Sequence, residues 1–132
     1  LLSANLPPDA RAADQPRNLV LANRIRQYIG THFTEQLTLE NIGEAMSMSP
    51  YHLAHIFKEI TGMSPIHYMI RCRVGEAQNL LISTDYSATQ IAAIVGYTNV
   101  NHFNAIFAKL VGLPPIRYRR KYLENMQGSR LQ

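Results

Sequence analysis

Histidine and cysteine are the residues of this sequence best suited to bind a metal or to catalyse a reaction. His52 and His55 stand three positions apart, a spacing that places two imidazoles on one face of a helix. No Asp, Glu or Cys completes a metal site in that local pattern, and Cys72 has no second cysteine to pair with. No nucleophile, base and orienting acid share a local pattern either. The sequence therefore predicts no metal and no cofactor, and it predicts that the chain is not an enzyme.

Basic residues form the second chemical pattern, and their side chains suit phosphate groups. The chain has 13 Lys and Arg against 9 Asp and Glu, which gives a formal net charge of +4. The cations are clustered, as Arg24 with Arg26, as Arg71 with Arg73, and in a run that contains Arg117, Arg119, Arg120 and Lys121. A positive balance favours a polyanionic partner, whereas any single cluster is more often a solvated helix face.

A repeat organises these side chains along the chain. An offset of 50 aligns His52 with His102, Phe57 with Phe107, Gly62 with Gly112, Pro65 with Pro115 and Tyr68 with Tyr118. Upstream the offset becomes 49, so that Ile42 aligns with Ile91 and Ser49 with Thr98. One extra residue is therefore expected in the second copy near Asn99–Val100. Self-similarity at a fixed period indicates a duplicated supersecondary unit.

Apolar residues recur with the helical period, and no long stretch alternates as a strand would, so the predicted fold class is all-α with about seven helices. Thr38, Ser49-Pro50, Ser64-Pro65 and Ser87 are helix-start signals, and Gly62 is a helix-stop signal. Each copy is expected to form a helix, a tight turn and a second helix, the helix-turn-helix layout. Small Gly43 and Ala92 stand where the two helices of each copy cross. The last helix is expected to end at about Lys121.

On these residues, the chain resembles the DNA-binding domain of the AraC/XylS family of transcription regulators over about residues 20–122. The most diagnostic stretch comprises Ile91-Ala92, Val95-Gly96-Tyr97, His102-Phe103, Phe107, Gly112, Pro115 and Tyr118-Arg119. The resemblance implies two helix-turn-helix subdomains, at 18–63 and 84–122, joined by a long linker helix at 64–83. Residues 1–17 are then a linker or disordered arm, and 123–132 a disordered tail. The implied function is sequence-specific binding of double-stranded DNA for transcription regulation, with two recognition helices in successive major grooves.

Carried over by position, the resemblance assigns roles to individual residues. Base readout falls to Tyr51, Ala54, His55, Val100, Asn101, Asn104 and Ala105. Phosphate contacts fall to Ser49, His52, Lys58, Arg71, Thr98, Asn99, His102, Arg117 and Arg119. Many family members carry Arg at the positions of His55 and Ala105, but neither recognition helix of this chain has an Arg. Guanine readout by Arg is therefore not expected, and Asn side chains favour an A·T-leaning half-site.

Further partners follow from the same resemblance. RNA polymerase is expected as a partner, and an effector-sensing or dimerisation domain is expected upstream of Leu1 in the full-length protein. A cytoplasmic, nucleoid-associated location is expected, and no run approaches the ~18 apolar residues of a membrane helix. The alternative is a helical adaptor that uses the same amphipathic helices to bind a protein groove and does not bind DNA.

Overall fold

The computed structural model describes residues 16–131, with side chains through 128, and this part of the chain forms seven α-helices and no strand. The helices are α1 Pro16–His32, α2 Leu39–Met46, α3 Pro50–Thr61, α4 Pro65–Ser83, α5 Ala88–Ile94, α6 Val100–Val111 and α7 Pro115–Leu131. The all-α prediction is confirmed. The arm expected at 1–17 lies outside the described residues apart from Pro16 and Arg17, which are helical because they begin α1.

The chain divides into two compact units, with the boundary inside α4 between Ile70 and Arg71. In the first unit α3 packs against α1 and α2. Its core holds the buried side chains Ile25, Ile29, Ile42, Leu53 and Phe57. These are the apolar residues that recur every three or four positions along each helix, so burial of one stripe per helix accounts for the unit.

The second unit is built in the same way from the part of α4 that begins at Arg71, from α5 and α6, and from the start of α7. Its buried side chains include Leu81, Ile91, Val95, Phe103 and Phe107. The duplication extends to the aromatic contacts within each unit. Phe57 meets Tyr68 edge to face at 5.7 Å, and Phe107 meets Tyr118 in the same way at 5.6 Å. The sequence repeat is therefore also a repeat of side-chain packing.

Side-chain caps determine where the helices begin. Thr38 and Ser87 form capping boxes with Asn41 and Gln90, as the start signals indicated. The Ser49 hydroxyl accepts the His52 amide at 3.2 Å. Asn99, which is the matching cap of α6, accepts the amides of Asn101 at 2.8 Å and His102 at 3.2 Å. Gly62 and Gly112 end α3 and α6 at φ of 84° and 99°, a backbone conformation that glycine adopts without strain.

The extra residue of the second copy lies in the turn, one position before the expected place. The Met48 amide donates to the Gly43 carbonyl at 2.9 Å, and the Tyr97 amide donates to the Ala92 carbonyl at 2.8 Å, so the offset is still 49 there. The caps Ser49 and Asn99 differ by 50. The insertion is therefore Thr98.

The prediction for the C-terminal end was wrong. The helix expected to end at about Lys121 continues as α7 to Leu131, through most of the expected disordered tail at 123–132. Residues 123–128 are exposed, so α7 needs no apolar stripe there. A helical period of apolar residues indicates a buried helix face, so it cannot reveal a helix that is exposed on all sides. In addition, no Pro occurs after Pro115 to end α7.

Candidate nucleic-acid interface

Helix α3 exposes most of the residues assigned to it as an interface. Tyr51 is 82% exposed, His52, His55 and Lys58 are exposed, and Ala54 is half-buried. The rings of Tyr51 and His55 lie nearly parallel, at 5° and 6.3 Å between centroids. The structure thus places these two predicted base readers side by side, one helical turn apart.

Helix α6 exposes the matching face with different chemistry. Asn101, His102 and Ala105 are exposed, whereas Val100 and Asn104 are half-buried. The Asn104 Oδ1 is buried and has no hydrogen-bond partner among the described residues. Adenine readout by Asn needs both the carbonyl oxygen and the amide nitrogen. Asn101 meets that requirement better than Asn104 does.

The cap residues Ser49 and Asn99 are partly occupied by their own helices. Each accepts amide hydrogen bonds of the first helical turn, so a phosphate can only meet the Ser49 hydroxyl hydrogen or the Asn99 amide nitrogen. The same caps fix the orientation of both first turns. His52 and His102 occupy the same place after the caps, and both are exposed.

The basic run at 117–121 is divided between two directions. Arg119 is half-buried, and its guanidinium donates to the carbonyls of Leu81 at 2.8 Å, Thr84 at 3.1 Å and Tyr86 at 2.7 Å. Its predicted phosphate contact is therefore corrected to a structural role at the end of α4. Arg117, Arg120 and Lys121 are exposed. The sequence showed that these residues are charged and clustered, but it did not show the direction in which each side chain points.

A buried arginine was missed in the sequence. Arg73 is 6% exposed, and its guanidinium carbon lies 4.9 Å from the centroid of the Tyr97 ring. Burial raises the pKa of Tyr97, and the nearby Arg73 charge opposes that rise. The available signal was spacing, because Met69, Arg73, Ala77 and Leu81 follow one another every four residues and all are buried.

None of the described helices is long and apolar enough to cross a membrane. Within the same residues, no group of three or more His, Cys, Asp and Glu is placed to hold a metal ion.

Comparison with known proteins identifies others that share this fold. A family model described as a helix-turn-helix domain matches residues 42–121. The C-terminal domain of AraT, a response regulator from Geobacillus stearothermophilus, has 38% identity and a TM-score of 0.75, over 76% of this chain and 84% of that one. The DNA-binding domain of AdpA, a global transcriptional factor solved with a target DNA, has 27% identity and a TM-score of 0.75, over 79% and 94%.

A curated relative is AdaA of Bacillus subtilis, named a bifunctional transcriptional activator and DNA repair enzyme. It is 37% identical over 80% of this chain, which spans 51% of AdaA. The fold and the exposed helices are those of a domain with two helix-turn-helix motifs. The chain belongs to the AraC/XylS family of transcription regulators. Its function is sequence-specific binding of DNA in transcription regulation.

Proposed function

We propose that α3 and α6 are the recognition helices, and that each inserts into a major groove of one duplex, in successive grooves. The observation that carries the proposal is the exposed face repeated at an offset of 50 on two helices whose first turns are held by side-chain caps. A major groove ~12 Å wide accepts one helix with its side chains. Linked motifs of this class read sites about one turn, or ~34 Å, apart.

Base readout in this proposal is shared between unlike side chains. On α3 the readers are Tyr51, Ala54 and His55, and the His55 ring nitrogens supply polar contacts to base edges. On α6 the readers are Val100, Asn101, Asn104 and Ala105. Asn101 suits adenine, and the methyl groups of Val100 and Ala105 suit thymine. These contacts favour an A·T-leaning half-site for α6.

Phosphate contacts fix the register of the helices on DNA. We assign them to residues that surround the two recognition faces or lie in the basic clusters: Ser49, His52, Lys58, Arg71, Thr98, Asn99, His102 and Arg117. Lys58, Arg71 and Arg117 are exposed cations, so they supply the salt-dependent part of the affinity. Arg119 is left out because its guanidinium already serves α4.

The chain spans about half or less of the length of the curated relatives it matches, so the activity of the whole protein is part of the proposal. We assign it a non-enzymatic role in the cytoplasm, in association with the nucleoid. RNA polymerase is the proposed partner on DNA. An effector-sensing or dimerisation domain upstream of these residues is proposed as the source of control.

Selection of bound duplexes from a random pool tests this function. We expect enrichment of one site with two unlike half-sites whose centres lie about 10–10.5 base pairs apart. Enrichment of a single half-site would contradict the two-groove proposal. A pool that shows no enrichment at low salt would favour the adaptor alternative, in which the helices bind a protein groove.

A further inference from the structure

Arg73 is the buried charged residue among the side chains of residues 16–128, and the proposed DNA contacts do not use it. Taking a guanidinium out of water is costly, and a well-packed apolar side chain in the same place often stabilises a fold as well or better. Stability alone is thus a poor explanation for Arg73. Its contacts point to a different role.

The first contact of Arg73 is with the turn of the second motif. Its guanidinium carbon lies 4.9 Å from the centroid of the Tyr97 ring, and both residues are buried. The planar guanidinium of Arg suits an aromatic face, and the attraction is stronger away from water. The positive charge of Arg73 also acts on the Tyr97 hydroxyl, since it opposes the rise in the Tyr97 pKa that burial causes.

Tyr97 also contacts the first turn of α6. Its ring meets the His102 ring edge to face, with centroids 5.5 Å apart, and lies 5.7 Å from the Phe103 ring. The Tyr97 backbone is held by its 2.8 Å hydrogen bond to the Ala92 carbonyl. Contacts from Arg73 to Tyr97 and from Tyr97 to His102 therefore join the interior of this unit to an exposed residue of the recognition helix.

The first motif has no such connection. Met48 takes the place of Tyr97, as its matching hydrogen bond to Gly43 shows. Methionine is flexible, and it cannot hold a neighbouring ring edge to face as tyrosine does. His52, the counterpart of His102, therefore provides a control within the same chain.

We propose that Arg73 is a positioning residue for α6, because through Tyr97 it holds His102 and the first helical turn in the orientation that DNA readout requires. The proposal rests on the proposed readout of DNA by α6. It assigns Arg73 no contact with a base or a phosphate of its own.

Binding to a panel of duplexes with single-base changes tests this role. The two half-sites are assigned to their helices with His55→Ala and Asn101→Ala. Affinities are then compared for the wild type, Arg73→Met, Arg73→Lys, Tyr97→Leu and Tyr97→Phe. The quantity of interest is the ratio of affinities for matched and mismatched duplexes. A partly unfolded population lowers all affinities by one factor and leaves that ratio unchanged.

We expect Arg73→Met and Tyr97→Leu to reduce discrimination at the α6 half-site by about fivefold or more, the size of one good base contact. Discrimination at the α3 half-site should stay as in the wild type. Tyr97→Phe keeps the ring and should keep discrimination, and Arg73→Lys keeps the cation and should recover part of it. If Arg73→Met weakens every duplex by one factor, or changes nothing, Arg73 is only structural. A wild type that discriminates at neither half-site would instead overturn the proposed function, and the inference with it.

Nuclear magnetic resonance of the free protein gives a second test that needs no DNA. Loss of Arg73 should move the imidazole signals of His102, because the Tyr97 ring above it shifts, while those of His52 stay in place. Unchanged His102 signals in a folded Arg73→Met protein would overturn the proposal.

Discussion

Gly43 leaves no room for a side chain beside the turn of the first motif. A Cβ added there would lie 2.6 Å from the Met48 carbonyl oxygen, which is backbone and cannot turn aside. The second motif carries Ala92 at the matching place and is one residue longer in its turn, through Thr98. The extra residue follows Tyr97, and the hydrogen bond from the Tyr97 amide to the Ala92 carbonyl matches the one from Met48 to Gly43, so the added length does not explain the larger side chain.

We expect Gly43→Ala to lower the free energy of unfolding by about 1–3 kcal/mol, as overpacking in a well-packed interior does. Gly30→Ala is the matched control, since a Cβ at Gly30 meets nothing within 4 Å and alanine favours the helix by about 0.5–1 kcal/mol. Urea unfolding of both variants measures the two effects. Equal stability of Gly43→Ala and the wild type would show that the helices separate at no cost.

Single substitutions should also show that the two recognition helices contribute unequally to sequence discrimination. We expect His55→Ala to relax sequence preference at one or two base pairs, by about 1–3 kcal/mol each. Asn104→Ala should cost less and act on the other half-site, because the Asn104 Oδ1 is buried. Binding to single-base operator variants measures both. The order of the helices is reversed if Asn104→Ala abolishes discrimination and His55→Ala leaves every affinity unchanged.

At the scale of elements, the end of α4 depends on α7. The Leu81 carbonyl belongs to the last turn of α4, where carbonyls lack partners within the helix, and Arg119 supplies one. Arg119 also binds the carbonyls of Thr84 and Tyr86 in the segment that leads to α5. One side chain therefore holds a helix end and the following connection together.

We expect Arg119→Ala to destabilise the protein by about 1.5–3 kcal/mol, the size of hydrogen bonds from a charged group. Arg120→Ala on the neighbouring exposed residue should change stability by no more than about 0.5 kcal/mol. Thermal melting compares the two variants. A smaller loss for Arg119→Ala than for Arg120→Ala would refute the structural role of Arg119.

Elements were predictable where a local signal determines them. Thr38, Ser49 and Ser87 cap helices through their own nearest neighbours, so the residue type and its spacing were enough. Arg119 and Arg73 act on residues far away in sequence, and no local pattern reports such contacts. The exposed second half of α7 was missed because it buries no apolar stripe, and so its sequence shows no helical period of apolar residues.

At the scale of the whole molecule, the positive balance should make DNA binding strongly dependent on salt. Contacts with about 5–8 phosphates predict a slope of about −5 to −7 for log affinity against log salt concentration. Fluorescence titration of a duplex at several salt concentrations measures it. A flat response would contradict the DNA-binding function.

Exposed cations should affect the salt dependence of DNA binding only where they lie at the proposed phosphate contacts. Lys58→Ala should weaken binding to all sequences alike and reduce the size of the slope by about one. Arg26→Gln, on an exposed part of α1 outside the proposed contacts, is the control and should leave the slope unchanged. Equal slopes for Lys58→Ala and the wild type would remove Lys58 from the phosphate contacts.

The matched positions of α3 and α6 hold different residues, and this gives the bound protein a direction. His55 in α3 corresponds to Ala105 in α6, and Tyr51 corresponds to Asn101. A symmetric dimer reads a palindrome and binds it equally well in either direction. A single chain with two unlike readers fits its site in one direction only. Inverting that site within a promoter would therefore turn the bound protein around, so that its opposite side faces whatever binds next along the DNA.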